Sequence, residues 1–180
     1  MDNPLLLELE QHGHKDGIPI ITRETGRLLS VLVHAMQANR ILEIGTGYGY
    51  STLWMALAQP PVGKIWTIDP DAARTEIAQT YFRRAGEDDY IVTFNQNTLE
   101  LLENFQQRNL DMVFIDADRS HYREYLDLVI PMLKRSGIVV IDDCLIEGLE
   151  EFNKYLLGHP QLDATILPLG GGLAIGARIQ

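Results

Sequence analysis

Residues 42–51 read Leu-Glu-Ile-Gly-Thr-Gly-Tyr-Gly-Tyr-Ser, with three glycines at alternate positions after an apolar run. The pattern predicts a short strand, Arg40 to Ile44, and a glycine turn into a helix that begins at Tyr50 or Ser51. Glycine at such a bend permits a positive φ and lets a ligand approach the backbone closely. The next apolar run, Lys64 to Asp69, ends in a carboxylate suited to ribose hydroxyls. Together these residues predict a nucleoside-bearing cofactor across the tips of two parallel strands.

Composition is that of an ordinary globular protein. The 180 residues fit one domain with room for a substantial core. The net charge of −10 disfavours broad binding to nucleic-acid backbones and favours a small-molecule substrate. The single cysteine, Cys144, excludes an internal disulfide and a cysteine-rich metal site. Residues 1–4 lack signal-peptide features, and no apolar run approaches the ~20 residues of a membrane span, so we expect a cytoplasmic protein without a membrane partner.

Strand-like and helix-like segments alternate along the chain, as is typical of an α/β domain with a parallel sheet. Strands are predicted at Arg40–Ile44, Lys64–Asp69, Tyr90–Asn95, Leu110–Asp116 and Gly137–Asp142. Helices are predicted at Thr25–Ala38, from Tyr50 or Ser51 to Ala58, and at Pro70–Ala85, Leu99–Gln107, Ser120–Lys134 and Gly148–Leu157. Two further runs, 164–169 and 172–179, flank a triple glycine and predict an antiparallel hairpin at the sheet edge. Residues 1–20 have the least defined pattern.

The glycine spacing discriminates among nucleoside cofactors. Gly45-x-Gly47-x-Gly49 differs from the G-x-G-x-x-G fingerprint of dinucleotide binders, in which a helix N-terminus receives a pyrophosphate. Glu43, two residues before the first glycine, would repel that pyrophosphate. S-adenosylmethionine carries an amine, a sulfonium charge and an adenosine but no phosphate. Its chemistry therefore suits this loop and Asp69 better than a dinucleotide does.

Carboxylates follow several predicted strands at the end where open parallel sheets bind their ligands. Asp116 ends the fourth strand and Asp142-Asp143 end the fifth, so these tips are expected about 5 Å apart. Three carboxylates that close repel one another unless a cation lies among them. Hard oxygen ligands favour Mg²⁺, with Mn²⁺ or Ca²⁺ as alternatives. The competing interpretation treats these aspartates as helix caps or solvated loop charges.

Several motifs resemble those of the cation-dependent class I O-methyltransferases, which include catechol and caffeoyl-CoA O-methyltransferases. They are residues 43–51, residues 114–118 (FIDAD) with Tyr122, Asp142-Asp143, and residues 168–173 (PLGGGL). The resemblance runs from about Ile20 to the end of the sequence. It implies one methyltransferase domain over residues 1–180. Its sheet would be Rossmann-like, doubly wound, seven-stranded and mostly parallel, with the last strand antiparallel. A homodimer is also implied.

The resemblance implies a role for each motif residue. The methionine part of S-adenosylmethionine would be held by residues of the first motif, namely Glu43, Gly45, Thr46, Gly47 and Ser51. Asp69 would accept the ribose hydroxyls, and Asn97 and Thr98 would lie near the adenine. Asp116 would serve both the cofactor amine and a metal ion, whose site Asp142 and Asp143 complete. The ion would bind two vicinal oxygens of a small, catechol-like acceptor and lower the pKa of the reacting hydroxyl.

The chain departs from the family pattern near the acceptor. Many members carry a lysine, their proposed general base, where this chain has Arg119, and a guanidinium does not deprotonate in proteins. His121 is the candidate replacement base. Asp143 stands where many members have asparagine, and Asn97-Thr98 replace the Asp-Ala or Ser-Ala often found there. The N-terminal segment and the stretch after Asp143 are short, which predicts an open acceptor site.

Three other functions compete with methylation of a small hydroxylated acceptor. Residues 19–26 resemble the N-terminal region of bacterial relatives that methylate a hydroxylated wobble uridine of tRNA. A basic cluster beside the cleft would favour that acceptor, formed by Arg23, Arg27, Arg40 or Arg83-Arg84. Arg119 and the short flanks instead suggest a cofactor-binding protein that has lost catalysis. A nicotinamide oxidoreductase fits least, because the glycine spacing is not that of a dinucleotide binder.

Overall fold

The computed structural model describes residues 3–180, in which strands and helices alternate from residue 40 onwards. Met1 and Asp2, part of the segment predicted to lack a leader, lie outside the described residues. The strands are β1 (Arg40–Ile44), β2 (Lys64–Ile68), β3 (Ile91–Phe94), β4 (Leu110–Ile115), β5 (Leu133–Ile141), β6 (Leu162–Leu167) and β7 (Leu173–Arg178). The α-helices are α1 (Pro4–Lys15), α2 (Arg23–Met36), α3 (Tyr50–Ala56), α4 (Ala72–Ala85), α5 (Thr98–Asn104), α6 (Tyr122–Val129) and α7 (Glu150–Leu157).

The strands form a seven-stranded sheet in the order β3-β2-β1-β4-β5-β7-β6. Strands β1 to β5 pair in parallel, whereas β7 runs antiparallel to both of its neighbours, β5 and β6. This arrangement confirms the predicted Rossmann-like sheet and the C-terminal hairpin. Strand order reverses between β1 and β4, and such a switch point opens a crevice at the carboxyl ends of the strands.

Helices cover both faces of the sheet and bury two apolar cores. Leu9 of α1, Leu29 of α2 and Phe82 of α4 pack in the core on one face. Leu126 of α6 and Leu156 of α7 pack in the core on the other face. Burial of both faces explains why β4 is buried along its whole length and reads as a continuous apolar run after Asp111.

Several predicted boundaries were wrong, and tertiary or capping effects explain them. Residues 4–15, which lack a clear pattern, form α1, whose N-cap Asn3 accepts a hydrogen bond from the Leu5 amide. The helix predicted over 120–134 gives way to a 3-10 turn at Ile130, because Pro131 cannot continue an α-helix. Strand β5 therefore begins at Leu133, four residues before the predicted start at Gly137.

Two further helix starts differ from the prediction. Pro70 is not the first residue of a helix. Asp71 caps α4, because its side chain accepts hydrogen bonds from the amides of Ala73 and Arg74. Helix α4 ends before Gly86, as predicted. Helix α5 is shorter than predicted and begins at Thr98 after the cap residue Asn97. Within residues 3–180, no helix is long and apolar enough to cross a membrane.

Asp111 joins three segments at the end of the sheet opposite the crevice. Its carboxylate accepts hydrogen bonds from the amides of Asn39 and Arg40, both at 2.8 Å. The ammonium of Lys134, at the start of β5, lies 2.5 Å from the other oxygen. Although burial raises it, the pKa of Asp111 is held below its usual range by Lys134 and the two amides. One largely buried side chain thus ties β4 to both neighbouring strands.

We expect Asp111→Ala to lower the free energy of unfolding by about 2–4 kcal/mol, because two amides and an ammonium lose their shared acceptor. Urea unfolding at neutral pH measures the change. The matched control is Asp163→Ala, which removes an exposed carboxylate from β6 and should change stability by no more than about 0.5 kcal/mol. Equal effects of the two substitutions would contradict this account of Asp111.

Candidate active site

The carboxyl ends of the central strands are aligned in one row by backbone hydrogen bonds. At each of these strands, the first residue after the strand donates its amide to the last residue of a neighbouring strand. The bonds join Gly45 to Ile68 (2.8 Å), Asp69 to Phe94 (3.0 Å), Asp116 to Ile44 (2.9 Å) and Asp142 to Ile115 (3.0 Å). The ladder thus brings residues distant in sequence to one edge of the sheet, as the sequence predicts for a ligand site.

Gly45 lies where the glycine turn meets the end of β4. Its φ is +102°, and a Cβ built on it would lie 1.8 Å from the carbonyl oxygen of Asp116. No residue with a side chain fits that approach. Gly49, the residue before α3, also has a positive φ, and a Cβ there would meet the ring of Phe82 at 2.5 Å. The two glycines let the turn pass between β4 and α4.

Glu43 lies beneath the glycine turn and is fully buried. Its carboxylate accepts hydrogen bonds from the hydroxyls of Ser51 at 2.6 Å, Thr67 at 2.6 Å and Thr52. Thr46 in turn bonds to Thr67 at 2.6 Å. Removal from water raises the pKa of Glu43 to about 7 in spite of these hydroxyl donors. Glu43 therefore connects β1, β2 and α3 under the turn, and it is absent from the lining of the cleft.

Asp69 faces the glycine turn from the end of β2 and is largely buried. One carboxylate oxygen accepts the amide of Gly47 at 2.8 Å, and the other accepts the amide of Asp71 at 2.9 Å. The side chain of Asn95 donates to the backbone carbonyl of Asp69 at 3.2 Å. These bonds fix the carboxylate at the mouth of the crevice.

The row of strand ends forms the floor of a cleft of about 340 Å³. This volume lies in the range of small-molecule sites. The cleft brings together most of the residues predicted to form the site: Gly45, Thr46, Gly47, Ser51, Asp69, Thr98, Asp116, Arg119 and Asp143. The remaining predicted residues are not part of its lining: Glu43, Asn97, His121 and Asp142.

Asn97 and His121 have local roles outside the cleft. Asn97 caps α5 through a 3.2 Å hydrogen bond from the amide of Glu100. The ring of His121 lies 6.0 Å from that of Tyr125, and its Nδ1 is 3.9 Å from the carboxylate of Glu124. The family resemblance implies that Asn97 lies near the adenine, and His121 is a candidate base because it follows Arg119 by two residues; both roles stay predictions.

Sequence reasoning missed one wall of the cleft. The segment Ile18 to Ile21 between α1 and α2 lines it, together with Tyr48 and Arg74. Tyr48, the residue between two turn glycines, donates its hydroxyl to Asp16 at 3.0 Å. This bond anchors the start of the segment to the glycine turn. The apolar run at residues 18–21 in an otherwise unpatterned region was the available signal.

The carboxylates beyond β4 and β5 form an acidic cluster made of Asp116, Asp142 and Asp143. Burial, reinforced by the charges of Asp142 and Asp143, raises the pKa of Asp116 to about 7. Burial also raises the pKa of Asp142 to about 6. Oδ1 of Asp142 is buried and has no hydrogen-bond partner within the described chain. Across residues 3–180, however, no three His, Cys, Asp or Glu side chains are already arranged to hold an ion.

Arg119 faces this acidic cluster from the short turn before α6. Its guanidinium forms an ion pair with Oδ2 of Asp143. Tyr122, one turn further on, is buried, and its hydroxyl donates to the backbone carbonyl of Asp142 at 3.1 Å. Tyr122 also packs edge-on against Phe152, with ring centroids 5.5 Å apart. Tyr122 is therefore a packing residue that supports the acidic turn.

The arginines that a tRNA acceptor would require do not line the cleft. Arg23 pairs with Glu10 at 2.9 Å and Arg84 with Glu8 at 2.6 Å. Arg40 stacks on Trp66 at the start of β1, at the opposite end of the sheet from the cleft. None of these three residues is part of the cleft lining.

Strand order and cleft position together define a Rossmann-like α/β protein whose cleft lies at the switch point of the sheet. The sequence profile of the O-methyltransferase family matches residues 2–179, and the chain belongs to that family. This match confirms the resemblance drawn from the motifs.

Curated relatives lie in the same family. Caffeoyl-CoA O-methyltransferase of Populus kitakamiensis is 31% identical over 94% of this chain and 82% of its own length. Catechol O-methyltransferase of Mycobacterium tuberculosis is 31% identical over 84% of this chain and 74% of its own length. This chain is therefore similar over most of its length to enzymes that methylate hydroxyl groups.

Solved structures of methyltransferases have the same fold. The O-methyltransferase TomG of Streptomyces achromogenes, solved in complex with S-adenosylmethionine, superposes with a TM-score of 0.91 at 26% identity, covering 100% of this chain and 92% of its own. A methyltransferase of Geobacter sulfurreducens superposes with a TM-score of 0.89 at 28% identity, covering 99% of this chain and 90% of its own.

We expect Gly45→Ala to lower the free energy of unfolding by about 3 kcal/mol or more, because the new methyl group collides with the Asp116 carbonyl. The control is Gly86→Ala, where φ is also positive (+73°) but no atom lies within 4 Å of the added Cβ. The free energy of unfolding of that variant should fall by only about 1 kcal/mol. Urea unfolding compares them, and similar losses would show that the close contact is unimportant.

The raised pKa of Glu43 predicts a pH-dependent stability. Its pKa is about 7 in the folded chain against an ordinary glutamate value of 4.5, so its stabilising contribution is present below pH 4.5 and is lost as pH rises through 7. Between pH 5 and 8, the free energy of unfolding of the ligand-free wild type should fall by on the order of 2–3 kcal/mol more than that of Glu43→Gln. Urea unfolding at both pH values measures this difference. Glu76→Gln, an exposed control, should follow the wild type.

Proposed function

We propose that this protein transfers a methyl group from S-adenosylmethionine to a hydroxyl of a small, catechol-like acceptor with the help of a divalent metal ion. The observation that carries the proposal is the single cleft that joins the glycine turn, Asp69 and the acidic residues Asp116 and Asp143. The catechol and caffeoyl-CoA relatives support the choice of acceptor class. A homodimer and a cytoplasmic location stay predictions.

The cleft suits the chemistry of S-adenosylmethionine. Its lining carries the carboxylates of Asp69, Asp116 and Asp143, which favour a cofactor with an ammonium and a sulfonium charge. A pyrophosphate would meet the same carboxylates unfavourably. Asp69 is fixed by two amides and keeps acceptor capacity for ribose hydroxyls. Gly47, where no atom lies within 4 Å of an added Cβ, leaves the backbone of the turn open to close approach.

The acidic cluster suits a divalent ion in its donor chemistry. Asp116, Asp142 and Asp143 offer hard oxygen donors, and no histidine or cysteine is needed for Mg²⁺. The buried, unpartnered Oδ1 of Asp142 is the atom that gains most from a cation. When bound, the ion would lower the pKa of the acceptor hydroxyl and fix two vicinal oxygens.

The protein's own residues would then supply binding and orientation. The glycine turn and Asp69 would hold the cofactor, and Asp116 would serve its amine. The acceptor hydroxyl, whose pKa the bound ion would lower, would give its proton to water. Its oxygen would then bond to the methyl carbon as the carbon–sulfur bond breaks, which leaves S-adenosylhomocysteine. Alignment of these two partners provides much of the rate enhancement. Arg119 keeps its proton and is not a base in this reaction. The apolar segment Ile18 to Ile21 forms one wall of the cleft.

Calorimetry and turnover assays test the proposal. We expect S-adenosylmethionine to bind the wild type, and a catechol panel with Mg²⁺ to yield S-adenosylhomocysteine that EDTA suppresses. Asp69→Asn should weaken cofactor binding roughly 10–100-fold, because charged acceptors of ribose hydroxyls are lost. The control Asp71→Asn keeps a residue that caps helices equally well and should bind normally.

Each alternative outcome has a distinct meaning. Cofactor binding without turnover on any catechol would favour a protein that has lost catalysis. Turnover that persists in EDTA would remove the metal from the proposal. Absence of cofactor binding would overturn it entirely.

A further inference from the structure

We propose that Arg119 is a built-in counter-cation of the acidic cluster, which holds Asp143 while no divalent ion is bound and thereby lowers the affinity of the cluster for such an ion. The inference rests on the proposed function, because it concerns the ion proposed there. It assigns to Arg119 control of metal affinity, a task separate from proton transfer.

The carboxylate of Asp143 is held from both sides. Oδ2 forms the ion pair with Arg119. Oδ1 lies against Gly171, where an added Cβ would be only 2.1 Å away. The turn itself is fixed, because the amides of Cys144 and Leu145 donate to the carbonyls of Gly172 and Gly171, both at 2.8 Å. The backbone of Asp143 itself lies in the left-handed region, with φ at +59°.

Charge explains why the ion pair competes with a metal. Asp116, Asp142 and Asp143 place three carboxylates together, and Arg119 is the cation paired with them. A divalent ion that takes Asp143 as a ligand must approach or displace the guanidinium, and like charges at about 4 Å repel strongly near a protein surface. Since a guanidinium stays protonated at any working pH, this competition is permanent. Arg74, the other arginine of the cleft lining, forms its ion pair with Asp71 at 3.2 Å instead of with Asp143.

The test is direct titration of the ligand-free protein with Mn²⁺. The electron paramagnetic resonance signal of the free ion measures how much Mn²⁺ remains unbound. Arg119→Gln should bind Mn²⁺ roughly tenfold or more tightly than the wild type. Arg119→Lys keeps the charge and should stay closer to the wild type than Arg119→Gln does. Arg74→Gln removes one positive charge from the same cleft and should change the affinity less than about threefold.

A double-mutant cycle with Asp143→Asn isolates the pair. If Arg119 acts through Asp143, Arg119→Gln should change Mn²⁺ affinity much less in the Asp143→Asn background than in the wild type. Thermal unfolding in EDTA verifies that each variant is folded, and the rise in Tm on adding Mn²⁺ should be largest for Arg119→Gln.

Failure of this inference differs from failure of the proposed function. Equal Mn²⁺ affinity of the wild type and Arg119→Gln would overturn the counter-cation role while leaving the metal in place. An effect of Arg119→Gln that is unchanged in the Asp143→Asn background would overturn it as well. If no variant binds Mn²⁺, both this inference and the metal in the proposed function fall, while S-adenosylmethionine binding stands or falls separately by calorimetry.

Discussion

The close contact between Gly45 and the backbone carbonyl of Asp116 joins the two halves of the cleft. One half is the glycine turn with Asp69, and the other is the acidic cluster beyond β4 and β5. Because a Cβ at Gly45 would lie 1.8 Å from that carbonyl, the distance between the halves is set by backbone alone. The amide of Asp116 bonds to Ile44 at 2.9 Å, so the same two strands hold the contact from below. A methyl donor and its acceptor need such fixed spacing.

Glu43 supports this arrangement from beneath. A buried carboxylate is costly unless its oxygens are hydrogen-bonded. Hydroxyls from Ser51, Thr52 and Thr67 meet that requirement and in doing so connect three segments under the turn. The raised pKa of Glu43 records the residual cost of its burial. Glu43 supports the residues that line the cleft, and the cofactor contact that the family resemblance implies for it stays a prediction.

Sequence patterns predicted the central part of the protein well. The run before Gly45, the carboxylate of Asp69 and the apolar strand before Asp116 lie in a parallel sheet, whose geometry brings strand ends to one edge regardless of side-chain detail. The same argument does not cover Asn97 and His121, which lie outside the cleft lining and whose proposed roles stay predictions. Those residues lie in turns, and the direction of a turn side chain depends on local capping and packing that spacing alone does not encode.

The N-terminal part of the chain shows a second reason why sequence patterns did not predict some elements of the structure. Helix α1 has a weak pattern because only a few of its residues are buried, among them Leu6 and Leu9. The wall formed by Ile18 to Ile21 lies in the cleft through tertiary contacts such as the bond from Tyr48 to Asp16. This hydrogen bond joins residues 32 positions apart, and such a contact produces no periodic pattern of apolar residues in the sequence.

The position of β7 between β5 and β6 has a consequence for how the chain folds during its synthesis. The turn that carries Asp143 is held by Gly171 and Gly172, which precede β7. A nascent chain that has emerged only as far as α7 already contains the glycine turn and Asp69. It lacks the strand that pairs with the open edge of β5 and the carbonyls that hold the acidic turn. Since domains generally fold as units, the acidic end of the cleft cannot be completed until the chain has been made as far as β7.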